Sequence, residues 1–281
     1  MNIEKRFPKK RVVITGAGSG LGRALALEFA KKTWNIAVAD INGERSRETV
    51  AMIDKEGGAG LAIRCDVTDP DDFIKAVALL NKEWNGVDIL VNNAGVAAAG
   101  YFEKIPLETW EWILDINLKS IIYGCRAFIP LFKEQGRGHI VNVASNAGIA
   151  CLPEMGCYNV TKAAVISASE TIRTELAPFD IGVTVVCPTF FKTNLMDQFS
   201  SPDERQRMLA EKFFERSKTS AETVARHVIK CMEKNRFRVI TQADGRFVWW
   251  AKRHFPEAYF KIASYIYRKG ILDKYLGLDQ N

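Results

Sequence analysis

Histidine and paired cysteine are what this 281-residue chain has least of. His139, His227 and His254 lie far apart without metal-ligand spacing, which sets aside a zinc centre and a histidine-based triad. The six cysteines, at 65, 125, 151, 157, 187 and 231, form no C-x-x-C pair and several sit in apolar runs. Buried free thiols are expected rather than disulfides or metal ligands. No apolar stretch approaches the ~18–20 residues that span a bilayer, and the opening MNIEKRFPKK lacks the apolar centre of a signal peptide. A cytoplasmic address is expected. The net charge of +6 is modest, and no aromatic-basic RNA motif or recognition helix stands out, so nucleic acid is not an expected partner. Neither a repeat of fixed period nor a low-complexity segment occurs.

What is present is an alternation. Hydrophobic residues make up 47% and charged residues 26%, as in a globular chain with a substantial core. The length suits one α/β domain of about 250 residues plus an extension. Short, nearly continuous Val/Ile/Ala/Leu runs predict strands at Arg11–Thr15, Asn35–Asp40, Gly60–Cys65, Val87–Asn92, His139–Ala144, Ile181–Cys187 and Phe237–Thr241. Between them, helical patterns fall near 21–32, 44–56, 70–84, 107–134, 157–177 and 220–234, with Pro178 stopping the fifth. This rhythm predicts a doubly wound Rossmann-type α/β domain over residues 1–245, a seven-stranded parallel sheet with helices on both faces. Residues 188–218 break the rhythm. Their apolar content fits either a mobile lid or a pair of surface helices, and the position after a strand's carboxyl end favours the lid.

After the first strand comes Thr15-Gly16-Ala17-Gly18-Ser19-Gly20-Leu21-Gly22-Arg23, leading into the apolar helix Ala24–Ala30. A glycine-rich turn between strand and helix lets backbone N–H groups and the helix dipole meet a pyrophosphate. The G-x-G-x-x-G pattern fails in every register. What fits is G-x-x-x-G-x-G at Gly16, Gly20 and Gly22, and the absence of a following G-K-[ST] excludes a P-loop. Asp40 ends the second predicted strand, where a carboxylate can accept from both adenosine ribose hydroxyls and repel a 2′-phosphate. No basic residue occupies Ser19 or Ile41, so NAD is expected ahead of NADP, with Arg45 and Arg47 close enough to weaken the distinction.

Tyr158 and Lys162 stand four apart in a helical stretch and so share one face. A free phenol titrates near ~10, and a neighbouring ammonium favours its ionised form, which would make Tyr158 a usable acid and base near neutral pH. Ser145 closes the strand before that helix. Its surroundings, Val143-Ala144-Ser145-Asn146-Ala147, are not the G-x-S-x-G of an esterase. The Y-x-x-x-K spacing alone is weak: Tyr265 and Lys269 repeat it beyond the last strand, without an upstream serine, and are expected to form a solvated helix face.

Together with Asp66-Val67, Asn92-Asn93-Ala94-Gly95 and Asn117, these motifs make residues 11 to about 241 resemble the short-chain dehydrogenases/reductases. The resemblance implies a catalytic group of Asn117, Ser145, Tyr158 and Lys162. Lys162 would bond the nicotinamide ribose, Ser145 would donate to the substrate oxygen, and Asn117 would hold a water that relays protons from Lys162. Asp66 and Asn93 would line the adenine side of the cofactor pocket, with Val67, Ala94 and Gly95 also binding the cofactor. Pro188 and Thr193 would flank the nicotinamide, and the family's Pro-Gly is here Pro188-Thr189. A homodimer or homotetramer through helices 107–134 and 157–177 is also implied. The expected reaction is hydride transfer between NAD(H) and a secondary alcohol or ketone. The apolar 188–218 run, with Leu152, Met155 and Cys157, suggests a hydrophobic substrate that is steroid-like, retinoid-like or fatty. The rival reading is a non-catalytic dinucleotide-binding regulator.

Residues 246–281 form an aromatic and basic extension with seven Lys/Arg and three Asp/Glu. Pro256 separates two short helical candidates. The aromatics are expected to pack on the core or a second subunit; the other reading is a peripheral amphipathic element on an anionic membrane.

Overall fold

The structure, a computed structural model, describes residues 3–277, so the last four residues of the extension lie outside it. In chain order the elements are α1 (Ile3–Arg6), β1 (Arg11–Thr15), α2 (Gly20–Ala30), β2 (Asn35–Asp40), α3 (Gly43–Lys55), β3 (Ala59–Arg64), α4 (Pro70–Trp84) and β4 (Ile89–Asn92). Next come α5 (Leu107–Leu114), a π-helical turn (Asp115–Lys119), α6 (Ser120–Gln135), β5 (Gly138–Val143), α7 (Ala147–Ala150), α8 (Gly156–Leu176) and β6 (Ile181–Val186). The chain then forms α9 (Glu204–Arg216), α10 (Ala221–Glu233), β7 (Arg238–Val239), α11 (Ala243–His254), α12 (Pro256–Arg268) and α13 (Ile271–Leu276).

The seven strands pair in parallel in the order β3-β2-β1-β4-β5-β6-β7, the expected doubly wound fold. Side chains alternate across each strand, so Val12, Ile14, Ile36, Val38, Val91 and Val141 face α2 and α10. Val13, Ala37, Leu90, Ile140, Val183 and Val185 face α4, α6 and α8. Burial on both faces explains why the strands read as continuous apolar runs. Sequence order along the sheet reverses between β1 and β4, and the crevice at their carboxyl ends is where such a sheet receives ligands.

Three departures from expectation have local causes. β7 is two residues long, not five, because only Arg238 and Val239 meet partners on β6. The helix expected at 107–134 is interrupted by the π turn, which buries Asn117 completely; π turns concentrate at functional sites because the extra residue redirects a side chain. The extension holds three helices instead of two, and α11 runs unbroken through residue 245.

A buried ion pair ties the amino-terminal edge of the sheet. Arg11 donates Nε and Nη2 to Asp88 at 3.1 and 2.9 Å and Nη1 to the carbonyls of Trp84 and Asn85, at the end of α4. Both charged residues are at most 3% exposed. Removing one partner strands the other charge, whereas replacing both with apolar groups does not. Arg11→Met should therefore lower stability by about 3–5 kcal/mol, measured by urea unfolding, and Arg11→Met/Asp88→Leu should regain most of it. A single-variant loss under about 1 kcal/mol would contradict this reading.

Candidate active site

The glycine turn is shaped by close approaches. Gly16 has φ +63° and packs against Ala94, and a Cβ on Gly22 would lie 2.3 Å from the Gly16 carbonyl oxygen. A side chain at Gly16 would press on the chain after β4, and one at Gly22 would press α2 off the turn. Ser19, at the amino terminus of α2, is extended and makes no side-chain cap, and the first turn of α2 has no acid. The free N–H groups of that turn therefore face an open groove of about 540 Å³, the setting that suits a pyrophosphate.

Gly16, Ser19, Gly20 and Leu21 form the groove's near wall; Asp40, Asp66 and Val67 lie at one end, and Tyr158, Lys162, Pro188 and Thr193 at the other. Asp40 accepts from Gly18 N and Asn42 N, both at 2.9 Å. Arg45, also on the groove, is drawn toward Asp197 at 3.6 Å. Asn93, Ala94 and Gly95 form the floor. The Asn93 amide is already engaged, donating to the Thr15 and Gly16 carbonyls at 2.9 and 3.2 Å. Asn93 thus holds the turn to β4. Gly22 lies behind the groove wall, against Asn93.

α8 carries Tyr158 and Lys162 on one face, at 8% and 3% exposure. Behind them Asn92 donates to Asn142, Asn142 to Ser169, and Ser169 to the Val165 carbonyl, at 2.9, 3.0 and 2.7 Å. This polar line fixes the register of α8 on β4 and β5. Lys162 Nζ donates to the Val143 carbonyl at 3.0 Å and lies 5.7 Å from the Tyr158 ring centre. Burial pulls its pKa down from 10.5 to about 8. The Asn117 side chain accepts from Val96 N at 2.8 Å and donates to the Val96 carbonyl and Thr161 Oγ1 at 2.9 and 3.2 Å. It faces Lys162 across Gly95, where any side chain would intrude between the two.

The expectation that Lys162 depresses the Tyr158 pKa is corrected by burial. Desolvation raises it, offset in part by the hydrogen bond with Ser145. A hidden phenol loses more by shedding its proton than a neighbouring, itself desolvated, ammonium returns. Tyr158 is therefore held as the neutral phenol.

Beyond Tyr158 opens a chamber of about 740 Å³. Ser145 lines this side, whereas Lys162 lines only the groove; Tyr158 and Pro188 line both. The 188–218 run, which includes a 3₁₀ turn at Asn194–Gln198 and α9, walls both cavities, with Phe190 stacked on Phe213 at 4.7 Å. Sequence reasoning passed over Asn146, 8% exposed beside Ser145, whose buried Oδ1 has no hydrogen-bond partner among the described residues. It also passed over Arg205 and the extension residues that line the chamber. The adjacency of Asn146 to Ser145 was the only signal. Tyr265 and Lys269 are exposed, as expected of the decoy pair.

Lys162 makes the stability of the fold depend on pH. From about pH 8 to 10.5 the unfolded chain holds a proton on this lysine that the fold lacks, so its contribution to stability rises with pH; below 8 the burial penalty is fully present. The stability of the wild type relative to Lys162→Met should therefore climb across that window, by a total on the order of 3 kcal/mol at 1.36 kcal/mol per unit. Urea midpoints taken at both ends check this, and a flat difference contradicts it.

The profile of the short chain dehydrogenase family matches residues 10–204. Probable oxidoreductase EphD of Mycobacterium tuberculosis is 38% identical over 191 residues, covering 68% of this chain and 32% of that protein, so the chain spans about a third of that relative's length. A 3beta-hydroxysteroid dehydrogenase of Mediterraneibacter gnavus is 33% identical over 207 residues, covering 73% of this chain and 74% of its own. The crystal structure of a short chain dehydrogenase/reductase from Burkholderia phymatum in complex with NAD superposes with a TM-score of 0.83 at 28% identity, covering 88% of this chain and 94% of that one. With the matched profile taking in the glycine turn, Ser145, Tyr158 and Lys162, the chain belongs to the short-chain dehydrogenase/reductase family of oxidoreductases.

Proposed function

We propose that the protein interconverts an apolar secondary alcohol and its ketone with NAD(H), Tyr158 exchanging the hydroxyl proton. The observation that carries this reading is that Tyr158 borders both the glycine-turn groove and the apolar chamber. The dinucleotide, when bound, supplies or accepts the hydride. Its pyrophosphate would be held by the turn from Gly16 to Leu21, its adenosine end by Asp40, Asp66 and Val67, and its nicotinamide end by Lys162, Pro188 and Thr193. In reduction the neutral phenol of Tyr158 gives its proton to the carbonyl oxygen and is reprotonated by way of Lys162; in oxidation it first releases its proton along that route, and the phenolate so formed takes the hydroxyl proton. Ser145 donates to the same oxygen. Lys162 replenishes the phenol and would itself exchange protons with solvent through a water held at Asn117.

The chamber's volume falls within the ~300–1,000 Å³ of small-molecule sites, and its phenylalanines favour a steroid-like or fatty skeleton. The 3beta-hydroxysteroid dehydrogenase among the relatives supports the same class. Asp40 supports NAD over NADP: its carboxylate would face a 2′-phosphate of like charge, a clash of about 4 kcal/mol at 4 Å in an intermediate dielectric. Association of two or four chains through α6 and α8 is supported by Ile122 and Val160, 42% and 46% exposed on those helices.

Tyr158→Phe should reduce kcat on an active ketone by about 10²–10⁴-fold while NADH binding, read by its fluorescence, changes little. A dinucleotide-binding regulator would show no turnover to lose. Asp40→Ser should move the kcat/KM ratio of NADPH to NADH upward by about tenfold or more. An unchanged ratio would remove Asp40 from cofactor choice.

A further inference from the structure

The chamber is not closed by the Rossmann domain alone. Tyr259, Ile266 and Tyr267 of α12 and Leu276 of α13 line it together with α9. In α12 Tyr259 and Ile266, seven residues or two turns apart, turn one face inward, while Phe260, Ile262 and Tyr265 are 46–59% exposed on the others. The extension is latched there by charge. Arg205 of α9 donates to Glu154 at 2.9 Å and to both oxygens of Asp273 at 2.7 and 2.8 Å, and the Tyr267 hydroxyl donates to Glu154 at 2.8 Å. Lys212 Nζ reaches the Leu276 carbonyl at 2.7 Å, which closes α13 onto α9.

The extension also grips the chain between Ser145 and Tyr158. Lys252 Nζ donates to the Ile149 carbonyl at 2.6 Å and the Tyr259 hydroxyl to the Ala150 carbonyl at 2.9 Å. These are the terminal carbonyls of α7, which has no further turn to satisfy them. Glu154, four residues before Tyr158, belongs to the same connection.

We infer that α12 and α13 are the specificity-determining wall of the substrate chamber, and that Tyr259, Ile266, Tyr267 and Leu276 select alcohols and ketones whose apolar skeleton reaches from Tyr158 to the extension. This rests on the chamber being the substrate site. Its chemistry is one of length: each methylene that reaches the wall is removed from water, whereas a short ketone leaves the far end unfilled. Arg205 is a positioning residue, spent on Glu154 and Asp273, and the three meet at the chamber's edge beside the apolar wall.

The test uses the full chain and methyl ketones from butanone to dodecan-2-one. In the wild type kcat/KM should rise along the series. In Ile266→Trp, which fills the chamber at the wall, the dodecan-2-one to butanone ratio of kcat/KM should fall by about tenfold or more. Asp273→Asn, which weakens the latch without adding bulk, should lower the same ratio in the same direction. Calorimetric titration of dodecan-2-one into protein saturated with NAD⁺, where no hydride is available, reads the wall without turnover; its Kd should weaken about tenfold in Ile266→Trp. Unchanged length selectivity and unchanged Kd in folded Ile266→Trp, verified by its NADH binding, would overturn the proposal. Loss of ketone turnover in every protein, with the Kd difference intact, would instead fault the assigned reaction and leave the wall standing.

Discussion

An ammonium group inside a protein needs acceptors for three N–H bonds, and Lys162, 3% exposed, has one among the described residues, the Val143 carbonyl. Withholding water from a charge is among the costliest things a fold can do, and here it pulls the lysine down to about 8. The arrangement persists because the surroundings give the side chain no other place. α8 is pinned to the sheet by the Asn92–Asn142–Ser169 line, Gly95 leaves the space in front of Nζ open, and Asn117 closes the side. On the proposed function, the ammonium at the lip of the groove would donate to ribose hydroxyl oxygens.

Tyr158 follows from the same constraint. Its position between groove and chamber requires burial, and burial holds its proton. A phenol kept neutral is prepared to donate toward a carbonyl oxygen, and Ser145 beside it offsets part of the cost by favouring the ionised form once the proton has left. In the proposed reaction the lysine would act through the protons it can return more than through the static field of its charge, because the medium that would strengthen that field also drains the charge itself.

The fold was legible because both faces of the sheet are buried: runs such as Val12-Val13-Ile14 and Val183-Thr184-Val185-Val186 can be little else than central parallel strands. The glycine turn and Asp40 were legible because their chemistry is backbone chemistry, written in residues that lack or shorten a side chain. Less visible was whatever depends on tertiary surroundings. The π turn around Asn117 sits in a stretch whose pattern is helical from end to end, and one extra residue per turn leaves no compositional trace. Asn93 reads as a groove residue, but only the placement of β4 beside β1 shows its amide spent on Thr15 and Gly16. The pKa of Tyr158 was misjudged in sign because sequence spacing reveals a neighbouring charge and conceals the depth of burial.

The extension shows why aromatic content alone could not separate packing from surface attachment. Its rings divide between two duties. Tyr259 and Tyr267 turn toward the chamber, whereas Phe247, Trp250 and Phe255, 66%, 46% and 56% exposed, contact one another on the outside. No helix among the described residues is long and apolar enough to cross a membrane. What holds the inner face is polar: the carbonyls at the end of α7 and the carboxylates of Glu154 and Asp273 each need a donor, and Lys252, Tyr259, Tyr267 and Arg205 provide them. Direction therefore comes from hydrogen bonds and area from the rings, because burial of apolar surface favours contact without specifying which helix face makes it. An extension docked by area alone could slide, and the chamber it closes would then have no defined depth.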